Sequence, residues 1–305
     1  MNDLYDLSGI TRQALHKYNT RKEYKLKVTS EVLNHCQKIR KKHKRMGCRR
    51  MYQKVSNEIA VGRDIFEQIG FANGYKLKIK RSVIKTTWAS KLQVCANHLE
   101  GKTLTNINQA WQGDFFYLKV DNVDYYGIAI IDVYSRRLLA LHISRRLTSQ
   151  ELIKAFHQAI NNRKGIIASN CIFHSDRGTQ FLAQDFKTEL SKYHFKQSMC
   201  KLAQENAYVE RVQGTLKYEY LFETSLTSHN LQSQIFKIKD LYNSDRPHSE
   251  LGYRTPADFE HAINKLSLTD KPQLTIYKWV HPLLTTTNVI NKEKRSKKET
   301  ITNNS

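Results

Sequence analysis

The sequence has few of the residues that mark fibrous, secreted or membrane proteins. Only 4 Pro and 12 Gly occur in 305 residues, which excludes collagen-like and linker-like compositions. No run approaches the roughly 18 apolar residues of a membrane span, and the first residues do not begin a signal peptide. The 5 Cys are odd in number and irregularly spaced, which argues against a disulfide framework and fits a reducing cytosol. Cys95 and His98 have a ligand-like spacing, but no second pair follows, so we do not expect a zinc site.

Acidic residues are also scarce. There are 28 Asp and Glu against 50 Lys and Arg, which gives a formal net charge of +22. A strongly basic chain without a membrane span most often binds a polyanion, and nucleic acid is the leading candidate. A ribosome-like structural binder and a binder of anionic membrane surfaces are the alternatives. The 40% hydrophobic content is enough for a buried core, and the length allows roughly two domains. We expect a cytoplasmic protein.

The first third of the chain carries most of this charge. Residues 1–100 hold 22 Lys and Arg against 8 Asp and Glu. Helical spacing over 29–44, and in two further segments separated by a turn at Val61-Gly62, predicts a helix-turn-helix DNA-binding region over residues 1–85. A plain helical hairpin with a solvated basic face is the alternative. Residues 75–81 alternate basic and apolar, which favours an exposed strand or arm along phosphates.

Basic residues in and beyond this region are the expected DNA contacts. They are Arg12, Arg40, Lys41, Lys42, Arg45, Arg49, Arg50, Arg63, Lys78, Lys80, Arg211 and Lys217.

The middle of the chain predicts an α/β domain. Residues 86–105 are polar and weakly periodic, which is typical of a linker. From Trp111 onward, three strand-like runs, a helix over Ser149–Asn162 and then alternating short strands and helices give the order βββαβαβα, a mixed sheet with a C-terminal helix, over residues 106–262. Residues 263–305 form an extension whose basic tail we expect to be disordered.

Three acidic residues occupy positions where a carboxylate suggests a functional role. Asp114 lies within an aromatic strand, Asp176 ends the fourth strand, and Glu210 lies on the last long helix, predicted from Asn206 to Tyr220. An acid within an apolar strand is costly unless it is paired or binds a metal. Hard cations such as Mg²⁺ prefer carboxylate oxygens, and a pair of them supports phosphodiester chemistry. Glu210 and Lys217 share the polar face of the helix, so Lys217 would lie beside a bound phosphate.

Several motifs in this order resemble one family. The segments that carry the resemblance are residues 44–51, Trp111–Asp114, Ile131–Arg137, His174–Phe181, Glu205–Arg211, Tyr242–His248 and Leu251–Pro256. They resemble the DDE transposase/retroviral integrase superfamily, and within it the OrfB-type transposases of bacterial insertion sequences (the "IS three" family). The resemblance implies an RNase H-like core preceded by an all-α helix-turn-helix region. It also implies strand cleavage and strand transfer at insertion-sequence ends, with Asp114, Asp176 and Glu210 as catalytic residues and metal ligands.

The same resemblance implies partners and cofactors. Two Mg²⁺ (or Mn²⁺) ions are expected, with double-stranded DNA, both terminal inverted repeats and target, as the substrate. The acting form would be a homo-oligomer on DNA, and an upstream helix-turn-helix protein is sometimes fused by frameshifting in this family.

Two departures from the family pattern keep an alternative open. The residues after Asp114 are Phe115-Phe116-Tyr117 where the family usually has Ile-Thr-Tyr, and 33 residues rather than 35 separate Asp176 from Glu210. A catalytically inactive or regulatory DNA-binding relative that occupies element ends is therefore the second hypothesis. An RNase H-like nuclease is the third, and the N-terminal region argues against it.

Neighbouring polar residues receive weaker assignments. Glu205 and Glu219 are rival third carboxylates, and we prefer Glu210. Asp132, which follows a strand, is predicted to cap a turn rather than bind metal. His174 either positions a phosphate or fills space beside Asp176.

Overall fold

The computed structural model describes residues 10–77, 95–165, 167, 169–200 and 203–276. Within these ranges it consists of a helical N-terminal region and a three-layer α/β core. Among these residues no helix is both long and apolar enough to cross a bilayer.

Three helices form the N-terminal region. They are α1 (Arg12–Lys42), α2 (Cys48–Val55) and α3 (Arg63–Ala72). The second half of α1 packs a stripe of small apolar residues, including Val32 and Cys36, against α2 and α3. Residues 11–27 of α1 are exposed throughout. The helix therefore begins far before residue 29, the start that the apolar spacing predicted, because its first half has no apolar stripe to reveal it.

The core is built on a mixed five-stranded sheet. Its strands are β2 (Ala110–Val120), β3 (Val123–Asp132), β4 (Leu138–Ser144), β5 (Ile172–Ser175) and β6 (Lys196–Met199), arranged as β4-β3-β2-β5-β6. The first three pair antiparallel, whereas β5 pairs parallel to β2 and β6 parallel to β5. This is the RNase H-like arrangement, so the predicted fold class is confirmed.

Helices cover both faces of the sheet. One face carries α4 (Ser149–Asn162), the short α5 (Thr179–Leu182) and α6 (Gln184–Lys192). The other carries α7 (Ala207–Thr215) and α8 (Leu231–Asp240). Successive residues of β3 point to opposite layers: Ile130 packs with α4, and Ile131 packs with α7 and α8.

Both long C-terminal helices end in a wider turn than the sequence predicts. After α7, residues Leu216–Tyr220 form a π-helical turn, and Leu241–Asp245 do the same after α8. The helix predicted from Asn206 to Tyr220 is present, but its last turn is π-helical, because hydrophobic spacing does not distinguish an α-turn from a π-turn.

Residues on either side of the predicted core lie against it. Leu99 and Leu104 are buried together with Ile276 and with Ile263 of α9 (Pro256–Ile263). Strand β1 (Thr103–Leu104) pairs with β7 (Leu274–Thr275). The domain boundaries given above stay a prediction, and residues 86–94 and 277–305 lie outside the described residues.

Candidate active site

Asp114 and Asp176 lie side by side at the edge where two parallel strands end their pairing. Gly113 of β2 pairs with Ser175 of β5, so the next residue on each chain, Asp114 and Asp176, extends the same register. The Asp114 carboxylate accepts the backbone N–H of Phe115 at 2.8 Å, and that of Asp176 accepts the N–H of Gly178 at 3.0 Å. The topology therefore brings together two acids that are 62 residues apart.

Two glutamines hold α7, and with it Glu210, against β2. Gln112 Oε1 accepts the N–H of Val209 at 3.1 Å, and its Nε2 donates to the carbonyl of Glu205 at 3.1 Å. Gln213 Nε2 donates to the carbonyl of Phe115 at 3.3 Å. These contacts fix both the start and the middle of the helix. The role of Gln112 and Gln213 was not predicted from the sequence, because nothing in their spacing distinguishes them from other buried polar residues.

The three acids interact electrostatically. Burial, and after it the charge of Asp176, raises the pKa of Asp114 to about 8, with a smaller contribution from Glu210. Burial also raises the pKa of Asp176. Glu210 is exposed, yet partial desolvation and the charge of Asp176 raise its pKa as well. The structure thus brings the three predicted residues into one field of mutually repelling negative charge.

The donor set fits a hard divalent cation. None of the three carboxylates forms an ion pair within the described residues, so their repulsion is not relieved by the protein. In that part of the chain, no three His, Cys, Asp or Glu side chains stand close enough to form a ready-made metal cage. An open set of carboxylates suits Mg²⁺, which keeps several waters and shares its coordination with substrate phosphates.

Lys217, one of the cations that the sequence predicted to contact DNA, lies close to this site. It is half-buried, its Nζ lies 5.4 Å from the centroid of the Phe116 ring, and it interacts with the charge of Asp114. Burial lowers the pKa of Lys217.

The rival carboxylates have other partners. Glu205 accepts a hydrogen bond from Asn97 Nδ2 at 2.8 Å. Glu219 makes two hydrogen bonds of 2.8 Å with Arg246. Asp132 caps a turn, as predicted: its carboxylate accepts the N–H groups of Tyr134 and Ser135 at 3.0 Å.

His174 fills space beside Asp176 rather than facing a substrate. It is fully buried, its Nδ1 lies 2.8 Å from Ser198 Oγ, and burial lowers its pKa to about 4. It is therefore a neutral group at physiological pH.

The residues predicted to contact DNA differ in exposure and in partners. Arg12, Lys41, Lys42, Arg49, Arg63 and Arg211 are exposed. Of these, Arg49, Arg63 and Arg211 pair with Glu67, Asp64 and Glu250. Arg40 donates to the carbonyl of Tyr75 at 2.9 Å, Arg45 pairs with Glu223 at 3.4 Å, and Arg50 pairs with Glu219 at 3.1 Å. Lys78 and Lys80 lie outside the described residues.

A buried polar network joins the N-terminal region to the core. His43 is 1% exposed, with Nδ1 2.8 Å from Tyr220 Oη and Nε2 2.8 Å from Asp245 Oδ2. Lys54 of α2 also pairs with Asp245. Tyr220 and Asp245 both belong to the π-helical turns, so these turns present the polar groups that receive the N-terminal helices.

Comparison with known families places the sheet in one class of proteins. Residues 105–204 match the family described as "Integrase core domain", and residues 195–256 match a second family with the same description. Together these matches contain Asp114, Asp176 and Glu210.

Curated relatives come from bacterial insertion elements. An uncharacterized 31 kDa protein of insertion element IS600 from Shigella sonnei is 28% identical over 72% of this chain and 83% of its own length. The transposase InsF of insertion sequence IS3A from Escherichia coli is 32% identical over 50% of this chain. The match spans about half, 54%, of the InsF transposase.

Solved structures with a similar backbone are viral integrases. The HTLV-2 integrase catalytic core domain in complex with magnesium is 27% identical, with a TM-score of 0.41 over 51% of this chain and 98% of that one. A simian T-cell lymphotropic virus intasome in complex with a PP2A regulatory subunit is 16% identical, with a TM-score of 0.47 over 78% of this chain and 75% of that one.

Proposed function

We propose that this chain, which matches the integrase core family and is similar to IS3-type transposases, is a transposase of that type and cleaves DNA strands at insertion-sequence ends. The freed 3′-hydroxyl is then joined to a target strand. The observation that carries the proposal is the pairing register that sets Asp114 beside Asp176, with Glu210 within reach of both charges. Two acids at adjacent positions on paired strands and a third on the neighbouring helix, none of them ion-paired among the described residues, suit phosphodiester chemistry with hard cations.

Each acid has a role in this proposal. Asp114 and Asp176 would jointly hold Mg²⁺ (or Mn²⁺), and Glu210 would complete a second ion site. When bound, such ions activate the attacking oxygen and stabilise the leaving oxygen. Gln112 and Gln213 are positioning residues, because they hold the helix of Glu210 against the strand of Asp114. Lys217 lies where it can neutralise a substrate phosphate.

The substrate and partners follow from the same family. We expect double-stranded DNA, as the terminal inverted repeats and as the target, bound in the bacterial cytoplasm at the nucleoid. Exposed basic residues on the N-terminal helices, among them Lys41, Lys42, Arg49 and Arg63, support this expectation. Cleavage and joining of two ends favours a homo-oligomer, and an upstream helix-turn-helix protein fused by frameshifting would add end recognition.

A second candidate is a DNA-binding relative without catalysis. The described residues contain no ready-made metal cage, and the interval between Asp176 and Glu210 is short. An inactive protein of this kind would occupy element ends and show no Mg²⁺-dependent stabilisation or cleavage.

The decisive experiment measures cleavage of DNA that carries the ends of the element around this reading frame. The wild-type protein is expected to cut with Mg²⁺ and not with EDTA, whereas Asp176→Asn binds the same DNA without cutting it. Asp124→Asn is the matched control, because Asp124 is a 74% exposed acid at the distant β2–β3 turn. Equal cleavage by Asp176→Asn would overturn the assignment, and a wild-type protein that binds without cutting would favour the second candidate.

A further inference from the structure

A cavity of about 430 Å³ lies where the N-terminal region meets the core. The cavity, called the arginine pocket, is lined by four arginines, which are Arg50, Arg136, Arg211 and Arg246. They come from α2, from the turn between β3 and β4, from α7 and from the segment before α9. The volume is within the range of cavities that hold small organic ligands.

The positive charge of the arginine pocket exceeds the negative charge around it. Glu250 is the only acidic residue among the side chains that line the cavity, and it pairs with Arg211 at 3.2 Å. Glu219, behind the wall, serves both Arg50 and Arg246. Four guanidinium groups thus share two carboxylates, which leaves an excess of two positive charges.

Arg136 is the guanidinium without an acidic partner. Its Cζ lies 4.1 Å from the centroid of the Tyr208 ring, and it donates to the carbonyl of Val133. No carboxylate within the described residues forms an ion pair with it. A largely desolvated, stacked guanidinium retains donors that match the oxygen atoms of a phosphate.

His248 adds a second group without a partner. It is nine-tenths buried in the wall of the pocket, and its Nε2 meets no hydrogen-bond partner in the described part of the chain. Its Nδ1 lies 3.4 Å from the Arg246 guanidinium, which only donates, so Nδ1 accepts and Nε2 carries the proton of the neutral ring. A buried donor that is left unsatisfied is costly, and an anion in the pocket would satisfy it.

We propose that the arginine pocket binds a backbone phosphate of the DNA substrate. The proposal rests on the proposed function, which supplies DNA as the ligand. Tyr208, Arg211 and Thr215 line the pocket at helical spacing on α7, and Glu210 lies on another face of the same helix. One helix therefore separates the held phosphate from the acids, and Arg50 lets the N-terminal region contact the same DNA strand.

The test is the salt dependence of DNA affinity, measured by fluorescence anisotropy with EDTA between about 50 and 200 mM salt. Arg136→Asn removes the unpaired guanidinium, and Asn tolerates the positive φ of 60° at this position. We expect the slope of log K against log salt to fall by about one, as for one lost phosphate contact. Glu250→Gln removes the lining carboxylate and is expected to tighten binding.

The matched control is Arg145→Asn. Arg145 also lies over a tyrosine, 5.4 Å from the Tyr125 centroid, and has no ion pair within the described residues, but it is outside the pocket. The Arg145→Asn substitution removes the same charge as Arg136→Asn and should leave the slope of log K against log salt unchanged. If Arg136→Asn does not fold, as judged by thermal melting, Arg211→Gln and Glu250→Gln decide, because those side chains are 75% and 53% exposed.

The outcomes separate the possibilities. A slope that is equal in wild type, Arg136→Asn and Arg145→Asn overturns the pocket, as does an unchanged slope in Arg211→Gln together with unchanged affinity in Glu250→Gln. Stabilisation of the wild type, and not of Arg136→Asn, by inorganic phosphate, with no change in the DNA slope, would identify a site for free anions instead. A wild-type protein that binds no DNA would instead refute the proposed function.

Discussion

The protein does not compensate the negative charge that Asp114 bears when its carboxyl group is ionised. The Asp114 carboxylate accepts one hydrogen bond from the backbone of Phe115 and one from the side chain of Gln213, and both act to lower its pKa. Burial and the charges of Asp176 and Glu210 outweigh these bonds, so the pKa rises. The site is thus arranged for a ligand that brings positive charge, and the metal-free protein bears the cost of repulsion.

This repulsion predicts a metal-dependent stability. Millimolar Mg²⁺ is expected to raise the Tm of the wild-type protein by several degrees, since about 1 kcal/mol shifts the Tm of a domain of this size by about 2–4 °C. Asp114→Asn should lose most of that response. Thermal melting with Mg²⁺ and with EDTA measures it, and Asp124→Asn serves as the control. An equal response in Asp114→Asn and wild type would contradict the assignment of the site.

Replacement of two glycines of the core by alanine is expected to change the stability of the protein in opposite directions. A Cβ on Gly127 of β3 would lie 2.1 Å from the Phe116 ring, its partner in the strand pairing. Gly127→Ala is therefore expected to destabilise the protein by about 1–3 kcal/mol, through displacement of that buried ring. A Cβ on Gly214 of α7 meets nothing within 4 Å, so Gly214→Ala should stabilise it by about 0.5–1 kcal/mol. Urea denaturation measures both, and a loss of stability in Gly214→Ala would contradict this account.

At the scale of elements, the sequence predicted the sheet well and the helix ends poorly. The apolar runs predicted three strands from Trp111 onward, one residue after the observed start of β2, and α4 was predicted at its observed bounds. The exposed first half of α1 and the π-helical turns after α7 and α8 were not predictable, because neither changes the apolar spacing. Glu219, Tyr220 and Asp245 lie in those turns, and a π-turn shifts the direction in which each side chain points.

Glu151, in the first turn of α4, is expected to make the stability of the protein depend on pH. Burial acts to raise the pKa of Glu151, but hydrogen bonds from Lys154 and His142 outweigh it and hold the pKa at about 2. Because this is below the value of about 4.3 for an unfolded chain, the contribution is complete above that value and is lost as the pH falls toward 2.

Glu151→Gln should therefore cost about 1–2 kcal/mol at pH 7 and much less near pH 2.5. Urea midpoints of variant and wild type across this range measure the difference. Glu23→Gln is the control, because Glu23 is an exposed acid of α1 with no hydrogen bond or ion pair among the described residues. A difference that stays constant from pH 7 to 2.5 would show that the carboxylate makes no such contribution.

At the scale of the whole molecule, the basic charge of the N-terminal region serves two purposes. The sequence predicted twelve basic DNA contacts, but Arg40, Arg45 and Arg50 are engaged with a carbonyl or with acids of the protein itself. Charge counting could not foresee this, because Glu219 and Glu223 are more than 160 residues away in sequence. The exposed cations Lys41, Lys42, Arg49 and Arg63 remain accessible to DNA, although the last three also lie within 4.0 Å of a carboxylate of the protein.

The network around Asp245 makes the two regions one unit. Burial lowers the pKa of His43, against the opposing effect of Asp245, so the ring is neutral: Nε2 donates to Asp245, and Nδ1 accepts from Tyr220 Oη. Lys54 donates to the same carboxylate. Every polar atom of the His43 ring is thus satisfied only while the N-terminal helices lie on both π-helical turns.

Removal of the shared carboxylate should therefore loosen the junction of the two regions. Asp245→Ala is expected to destabilise the protein by about 2–4 kcal/mol, because it leaves a buried imidazole N–H and a half-buried ammonium without their partner. The urea midpoint measures this loss. Asp124→Asn breaks the exposed pair of Lys119 and Asp124, which are 3.9 Å apart, and should cost less than about 0.5 kcal/mol. If both variants lose the same small amount, the network does not hold the N-terminal region to the core. If Asp245→Ala instead gives two separate transitions, the two regions unfold independently once this carboxylate is gone, even though the pairs of Arg45 with Glu223 and of Arg50 with Glu219 still cross the junction.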